Sequence, residues 1–112
     1  MKTPRLNRKL VLEVAQRVAD GAGGFALNWV SLGALWASVD ARTGRERAGE
    51  FATVSQVGYR ITVRAAPQGA PSRPKPEQRF RDGARVFRIT AVTEADEQGQ
   101  YLTCFAQEEV LA

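Results

Sequence analysis

Two acidic clusters, Glu94/Asp96/Glu97 and Glu108/Glu109, bring carboxylates close enough in sequence to share a reaction. Paired carboxylates are the machinery of two-acid hydrolysis, in which one group protonates the leaving atom and the other acts as base or nucleophile. Both clusters fall in a turn or a terminal tail, where a solvated charge run is the simpler reading. The first also lacks the loop spacing and glycine of a calcium site. Gly21-Ala22-Gly23-Gly24 has the composition of a phosphate cradle, but no Gly-Lys-Ser/Thr follows and no helix start is signalled, so it reads as a turn. The chain has no His, which removes the commonest general base near neutral pH and the commonest transition-metal ligand. Its single Cys, Cys104, excludes an intrachain disulfide and a Cys-rich zinc cluster. Cys104 is expected to be a buried small hydrophobe. No catalytic residue, metal or cofactor is expected, and the composition points away from an enzyme.

What positions these residues is one small domain, residues 1–112, 44% hydrophobic. At this size a chain buries roughly 65% of the surface it would expose unfolded, so a single core is feasible with little stability to spare. The net charge of +4 hides an uneven distribution. Residues 1–93 hold all 16 basic side chains against seven acids, a net of about +9, and residues 94–112 hold five acids and no base. Thirteen of the bases are Arg, whose guanidinium makes two-pronged hydrogen bonds to carboxylate or phosphate. No apolar run approaches the roughly 20 residues that cross a bilayer, and Met1 to Leu12 is too polar for a secretory signal.

Turn signals recur at short intervals: Asp20 to Gly24, Arg42 to Gly44, the proline-rich connection 66–77, Asp82-Gly83 and Glu97 to Gly99. Between them lie short stretches rich in β-branched and aromatic residues, the mark of a mostly β chain. Residues 9–18 carry a helical stripe (Leu10, Val11, Val14, Ala15, Val18) as well as a short alternation (Leu10, Leu12, Val14). The glycine-rich reversal behind them, followed by a return strand from Phe25 to Val30, favours a strand, with a helix as the alternative. Further strands are expected at 34–40, 58–64, 79–81, 85–92 and 100–106. In the clearest, Tyr59, Ile61 and Val63 alternate with Arg60, Thr62 and Arg64, so one side packs and the other is positive. The interval 44–56 is a long polar loop with room for a short helix, and a loop of that length in a small domain is uncommon without a function. The expected architecture is a small antiparallel β-barrel or sandwich of six to seven strands.

Arginine interleaved with aromatic residues suggests a nucleic-acid surface, with Trp29, Trp36, Tyr59 or Phe87 as stacking platforms over a positive groove. The opposing reading places these aromatics in the core. A stand-alone single-stranded nucleic-acid-binding barrel is therefore one functional alternative.

The order of features offers a more specific one. A first strand leading to Asp20-Gly21-Ala22-Gly23-Gly24-Phe25 is followed by Trp29, Trp36-Ala37-Ser38-Val39 and Gly44-Arg45-Glu46. Then come Ile61-Thr62-Val63-Arg64, Arg81-Asp82-Gly83, Phe87-Arg88-Ile89 and Val92. Over about residues 6–109 this resembles the phage head-tail joining family, the head-closure or stopper proteins of long-tailed phages and of phage-like gene-transfer particles. The proline-rich insert is longer than the family's usual connection. The resemblance implies a structural subunit made in the host cytoplasm and built into the particle neck as a closed ring, a hexamer or dodecamer. A portal or adaptor ring would lie on the head side, a tail terminator or tail tube on the other, and double-stranded DNA in the lumen; a tail-completion ring is the neighbouring alternative. It also implies that the loop 44–56 reaches the lumen, making Arg42, Arg45, Glu46, Arg47, Glu50 and Phe51 candidate lumen residues. Ring closure by unlike surfaces would set Arg60, Arg64, Arg79 and Arg81 against Glu94, Asp96, Glu97, Glu108 and Glu109 of a neighbour or of the adaptor.

Overall fold

The computed structural model describes residues 3–42 and 57–109. Six antiparallel strands form one sheet that closes on itself: β1 (Arg8–Ala19), β2 (Phe25–Arg42), β3 (Gly58–Arg64), β4 (Arg79–Asp82), β5 (Arg85–Glu94) and β6 (Tyr101–Glu109). Their order around the closed barrel is β1-β2-β3-β6-β5-β4, so β3 reaches β6 by a crossover and the four residues of β4 seal the gap between β5 and β1. The expected long loop 44–56, with its room for a short helix, lies outside the described residues.

Alternation builds the core. Leu10 and Leu12 from β1, Ala37 from β2, and Ile61 and Val63 from β3 point inward, joined by Phe80 from β4, Phe87 and Ile89 from β5, and Leu102, Cys104 and Ala106 from β6. Each fully buried large side chain contributes about 1.5–3 kcal/mol relative to exposure. Cys104 is fully buried, and burial pushes its thiol up to about 12, so it stays protonated and unreactive. Thr62, placed by alternation on the polar side of β3, is nevertheless only 8% exposed, in register with Thr103 of β6 and Ser38 of β2.

Residues 9–18 are strand, paired along their whole length with β2. Their helical stripe loses to the turn that follows. Asp20 accepts hydrogen bonds on Oδ1 from the backbone N–H of Ala22 (2.8 Å) and Gly24 (3.0 Å), and Gly21 and Gly23 take the positive φ values of 81° and 85° that the reversal requires. The separate strands expected at 25–30 and 34–40 are one 18-residue strand. The interruption between them is a β-bulge: Leu12 faces Gly33 and Glu13 faces Ser31, leaving Leu32 as the extra residue. Gly33 adopts φ 119°, and its N–H donates to Ser31 Oγ at 3.1 Å. Glu108 and Glu109, expected in a terminal tail, end strand β6 instead, because pairing with Phe87 and Val86 of β5 carries the ladder that far.

Candidate functional site

Register divides the barrel into two ends. Arg42, Gly58, Gln107, Glu108 and Arg85 stand at one end, where the chain leaves β2 and returns at β3. Arg64, Tyr101, Glu94 and the root of the β1–β2 ribbon stand at the other.

At the first end the mouth is plugged. Arg85 Nε donates to Glu108 Oε2 at 2.8 Å and its Nη2 to Oε1 at 3.0 Å and to the Tyr59 hydroxyl at 3.1 Å; the hydroxyl donates to Oε1 at 3.2 Å. Beneath them Tyr59 and Phe87 meet edge to face, with ring centroids 5.0 Å apart. Glu108 is therefore engaged inside its own subunit. The Arg85 hydrogen bonds are the main cause holding its carboxyl below the usual value of 4.5, helped by the Arg85 charge and the Tyr59 hydroxyl. A carboxyl whose folded value is lowered stabilises the fold fully above its ordinary range, and the contribution disappears as pH falls through the lowered value. The two side chains retain 42% and 28% exposure, which limits the pair to about 1 kcal/mol or less. Glu108→Gln is expected to melt slightly below the wild type at about pH 7, with the gap closing as the pH falls below the ordinary carboxylate range. A gap that widens on acidification would contradict this role.

The acidic cluster at the other end is a turn. Asp96 Oδ1 accepts from the N–H of Gln100 (2.9 Å) and Tyr101 (3.0 Å), which builds the β5–β6 reversal and leaves Glu94 and Glu97 exposed around a shallow open hollow. Among the described residues no group of acids, Cys or His is placed to hold a metal ion. In each cluster one carboxylate is tied up within the fold, Asp96 by the turn backbone and Glu108 by Arg85.

The candidate contact arginines fall on two outer faces. On the β2–β3–β6 wall, Arg42 and Arg60 lie over the Phe105 ring, their guanidinium carbons 4.9 and 5.9 Å from its centroid, and Arg64 lies 6.0 Å from that of Tyr101. Asp40 is in register with Arg60 and tempers the charge. On the β1–β4 side, Arg79 Nε donates to Glu13 Oε1 at 2.7 Å while its guanidinium carbon sits 4.0 Å from the Trp29 centroid. Arg81 stands 3.7 Å from the other Glu13 oxygen, and Arg8 bonds Asp82 nearby. Arg79 is thus committed inside its subunit, whereas Arg60, Arg64 and Arg81 are exposed. Of the proposed lumen residues, Arg42 is exposed on the wall; Arg45, Glu46, Arg47, Glu50 and Phe51 lie outside the described residues.

Of the four aromatics considered as stacking platforms, Phe87 is fully buried, Tyr59 and Trp29 are half-buried, and Trp36 alone is largely exposed at 57%. That disfavours a stacking groove for single strands, which needs successive free rings. Sequence reasoning missed the Glu13–Arg79–Trp29 clamp and the Arg85–Glu108–Tyr59 plug. The one available signal for the clamp was a glutamate standing inside the apolar stretch of β1.

A chain in a structure described as the virion of a native gene transfer agent particle is 64% identical, with a TM-score of 0.81 over 98% of this chain and 100% of that one. The solution structure of protein SF1141 from Shigella flexneri 2a shares the fold at 20% identity, with a TM-score of 0.70 and full coverage of both chains. A comparison with curated proteins finds no match. The model of the phage head completion protein family matches residues 1–109, and with nearly the whole length so covered, the chain belongs to that family.

Proposed function

We propose that this chain completes the DNA-filled head of a phage-like particle as one subunit of a closed ring, seated between the portal or adaptor and the tail. Family membership carries the reading, and the 64% identical chain within a gene transfer agent virion supports it. The family's description as head completion favours the head side over a tail-completion ring. The role is structural, consistent with acids that build a turn and a plug rather than a reacting pair.

The barrel core is filled by Phe80, Phe87, Leu102 and their neighbours, so DNA would run through the lumen of the ring and not through a subunit. Each phosphate neutralised adds salt-sensitive affinity that would retard transit, and the alternation of Arg with Glu over 45–50 suits a passage that must not grip. That segment leaves and re-enters at the plugged end, opposite the acidic turn. Glu94 and Glu97, exposed on that turn, would meet an Arg-rich wall of a neighbouring subunit or of the adaptor.

One complementation experiment tests these parts. Particles made without the chain are expected to be tailless and to lose DNA, and the wild type restores them. A variant lacking residues 45–54 is expected to fold and join tails but to release DNA, and the Glu94→Lys/Glu97→Lys variant to fold but join poorly. Normal DNA-filled, tailed particles in the absence of the chain would overturn the proposal. Normal particles with either variant would remove the role given to that segment.

A further inference from the structure

Half of the β1–β2 hairpin extends past the strands that flank it, and among the described residues only its root at Trp29 is covered, by Arg79. β4 pairs with β1 only at Val11, Leu12 and Glu13, and β3 pairs with β2 only from Ala37 to Arg42. Among the described residues, the two strands therefore pair only with each other from Val14 to Ala19 and from Phe25 to Ser31. The projection shows in the dimensions: the radius of gyration is 15.7 Å, against about 13 Å for a compact chain of this length. A lone two-stranded ribbon is marginal in water, and unpaired edges beside apolar side chains invite another chain.

One face of this arm carries Ala15, Arg17 and Ala19 of β1 in register with Trp29, Leu27 and Phe25 of β2. Phe25 and Leu27 are 62% and 63% exposed, and the Arg17 guanidinium lies over the Phe25 ring at 4.3 Å. At its root the Arg79–Glu13 pair and Trp29 clamp the arm to β4. Its direction is thereby set before any partner arrives, which lowers the entropic cost of docking.

We propose that the arm of each subunit packs head to tail on the outer wall of a second copy of this chain, with Phe25 and Leu27 seated against its Trp36. Among the described residues the exposed large apolar side chains are Val18, Phe25 and Leu27 on the arm, and Trp36 and Val57 on the barrel. Trp36 and Phe25 stand at different places on one strand, about 36 Å apart along an extended chain, so neither covers the other within a subunit. Two unlike apolar patches on one chain, both left open, are the pattern of a heterologous contact.

The charges agree. Asp20 stands fully exposed at the arm's tip, and the N–H groups of Ala22 and Gly24 hold its carboxyl below the ordinary range, so it stays ionised. Trp36 is in register with Lys9 of β1, and Arg64 lies one residue beyond the Val63–Ala37 pair on β3. A tip acid laid beside Trp36 meets a base on either side. One face of the arm offers on the order of a few hundred Å², short of the ~800 Å² per partner of a standard interface. The contact is thus weak for an isolated pair and gains strength when every copy both gives an arm and receives one. Only that closure rests on the ring reading above; the arm-to-wall contact is a property of the chain alone.

The test is disulfide trapping in the full-length Leu27→Cys/Trp36→Cys variant, for which the buried Cys104 does not compete. Oxidation is expected to yield a ladder of cross-linked species, in the purified protein or in particles that carry it, while neither single cysteine variant yields one. Phe25→Glu/Leu27→Glu is expected to keep the wild-type melting temperature, because both side chains are exposed, yet to lose self-association in sedimentation. Efficient dimers from Leu27→Cys alone would put arm against arm and overturn the proposal. Absence of the ladder both in solution and in normally formed particles would assign the arm to a different protein and overturn it equally. A ladder from a chain that particles do not need would leave this contact standing and sink the head completion reading instead.

Discussion

Glu13→Ala is expected to lower the melting temperature by roughly 12–20 °C. Glu13 and Arg79 retain only 9% and 11% side-chain exposure, and Arg81 approaches the same carboxylate at 3.7 Å. Removing one partner of a buried ion pair costs about 3–5 kcal/mol, because the other is left charged without water or counter-charge. In a domain of this size each kcal/mol shifts the melting temperature by about 4 °C. Here the variant leaves Arg79 against Trp29 with no anion, beside a second guanidinium. If the loss comes from the orphaned charge and not from a hole, the double variant Glu13→Leu/Arg79→Met should recover most of it, since an apolar pair of similar volume needs no counter-charge. The measurement is thermal unfolding followed by circular dichroism. A single-variant drop under about 4 °C, or a double variant no better than the single, would remove the clamp's energetic role. The clamp also aims the arm, so the double variant separates stability from assembly by keeping the first and disturbing the second.

Phe87→Ala is expected to cost about 3–5 kcal/mol, the usual range for emptying a buried aromatic site. Phe87 is fully buried, packs edge to face with Tyr59, and lies 4.9 Å beneath the Arg85 guanidinium carbon. Its loss therefore opens a cavity and removes the floor under the Arg85–Glu108–Tyr59 plug. Denaturant unfolding should show a lower midpoint, and Glu108→Gln added to Phe87→Ala should cost less than it does alone, because the plug is already loosened. Trp36→Ala is the internal control: at 57% exposure it should change stability by no more than about 0.5 kcal/mol. Equal effects at Phe87 and Trp36 would mean that the inward and outward faces have been assigned wrongly.

The features legible in the chain were those with local causes. The reversal at Asp20 to Gly24 needs positive φ at Gly21 and Gly23 and an acceptor from Asp20, all within five residues. The proline-rich connection and the alternation over Tyr59 to Arg64 are equally local, and both hold apart from Thr62. The ordered motifs that resembled a head-joining protein also span most of the chain, and the family match confirms that resemblance. What escaped depended on partners distant in sequence. Glu13 and Arg79 meet across 66 residues because β4 closes the barrel onto β1, and no property of either residue announces the other. Glu108 read as a solvated tail charge until pairing with β5 placed it over Arg85.

Composition alone excluded His-based chemistry, because an absent residue type cannot be restored by any fold, and an intrachain disulfide, because a single Cys has no partner; the alternating apolar stretches demanded a sheet with one buried face. Whether an apolar strand is core or open surface was a different matter. Leu10-Val11-Leu12 and Phe25-Ala26-Leu27 look alike on paper, yet the first lies in the barrel wall and the second stands free. The difference is the length of the neighbouring strands. β3 and β4 stop short of the ribbon, and burial follows from what lies alongside a residue, a quantity that exists only once the chain has closed.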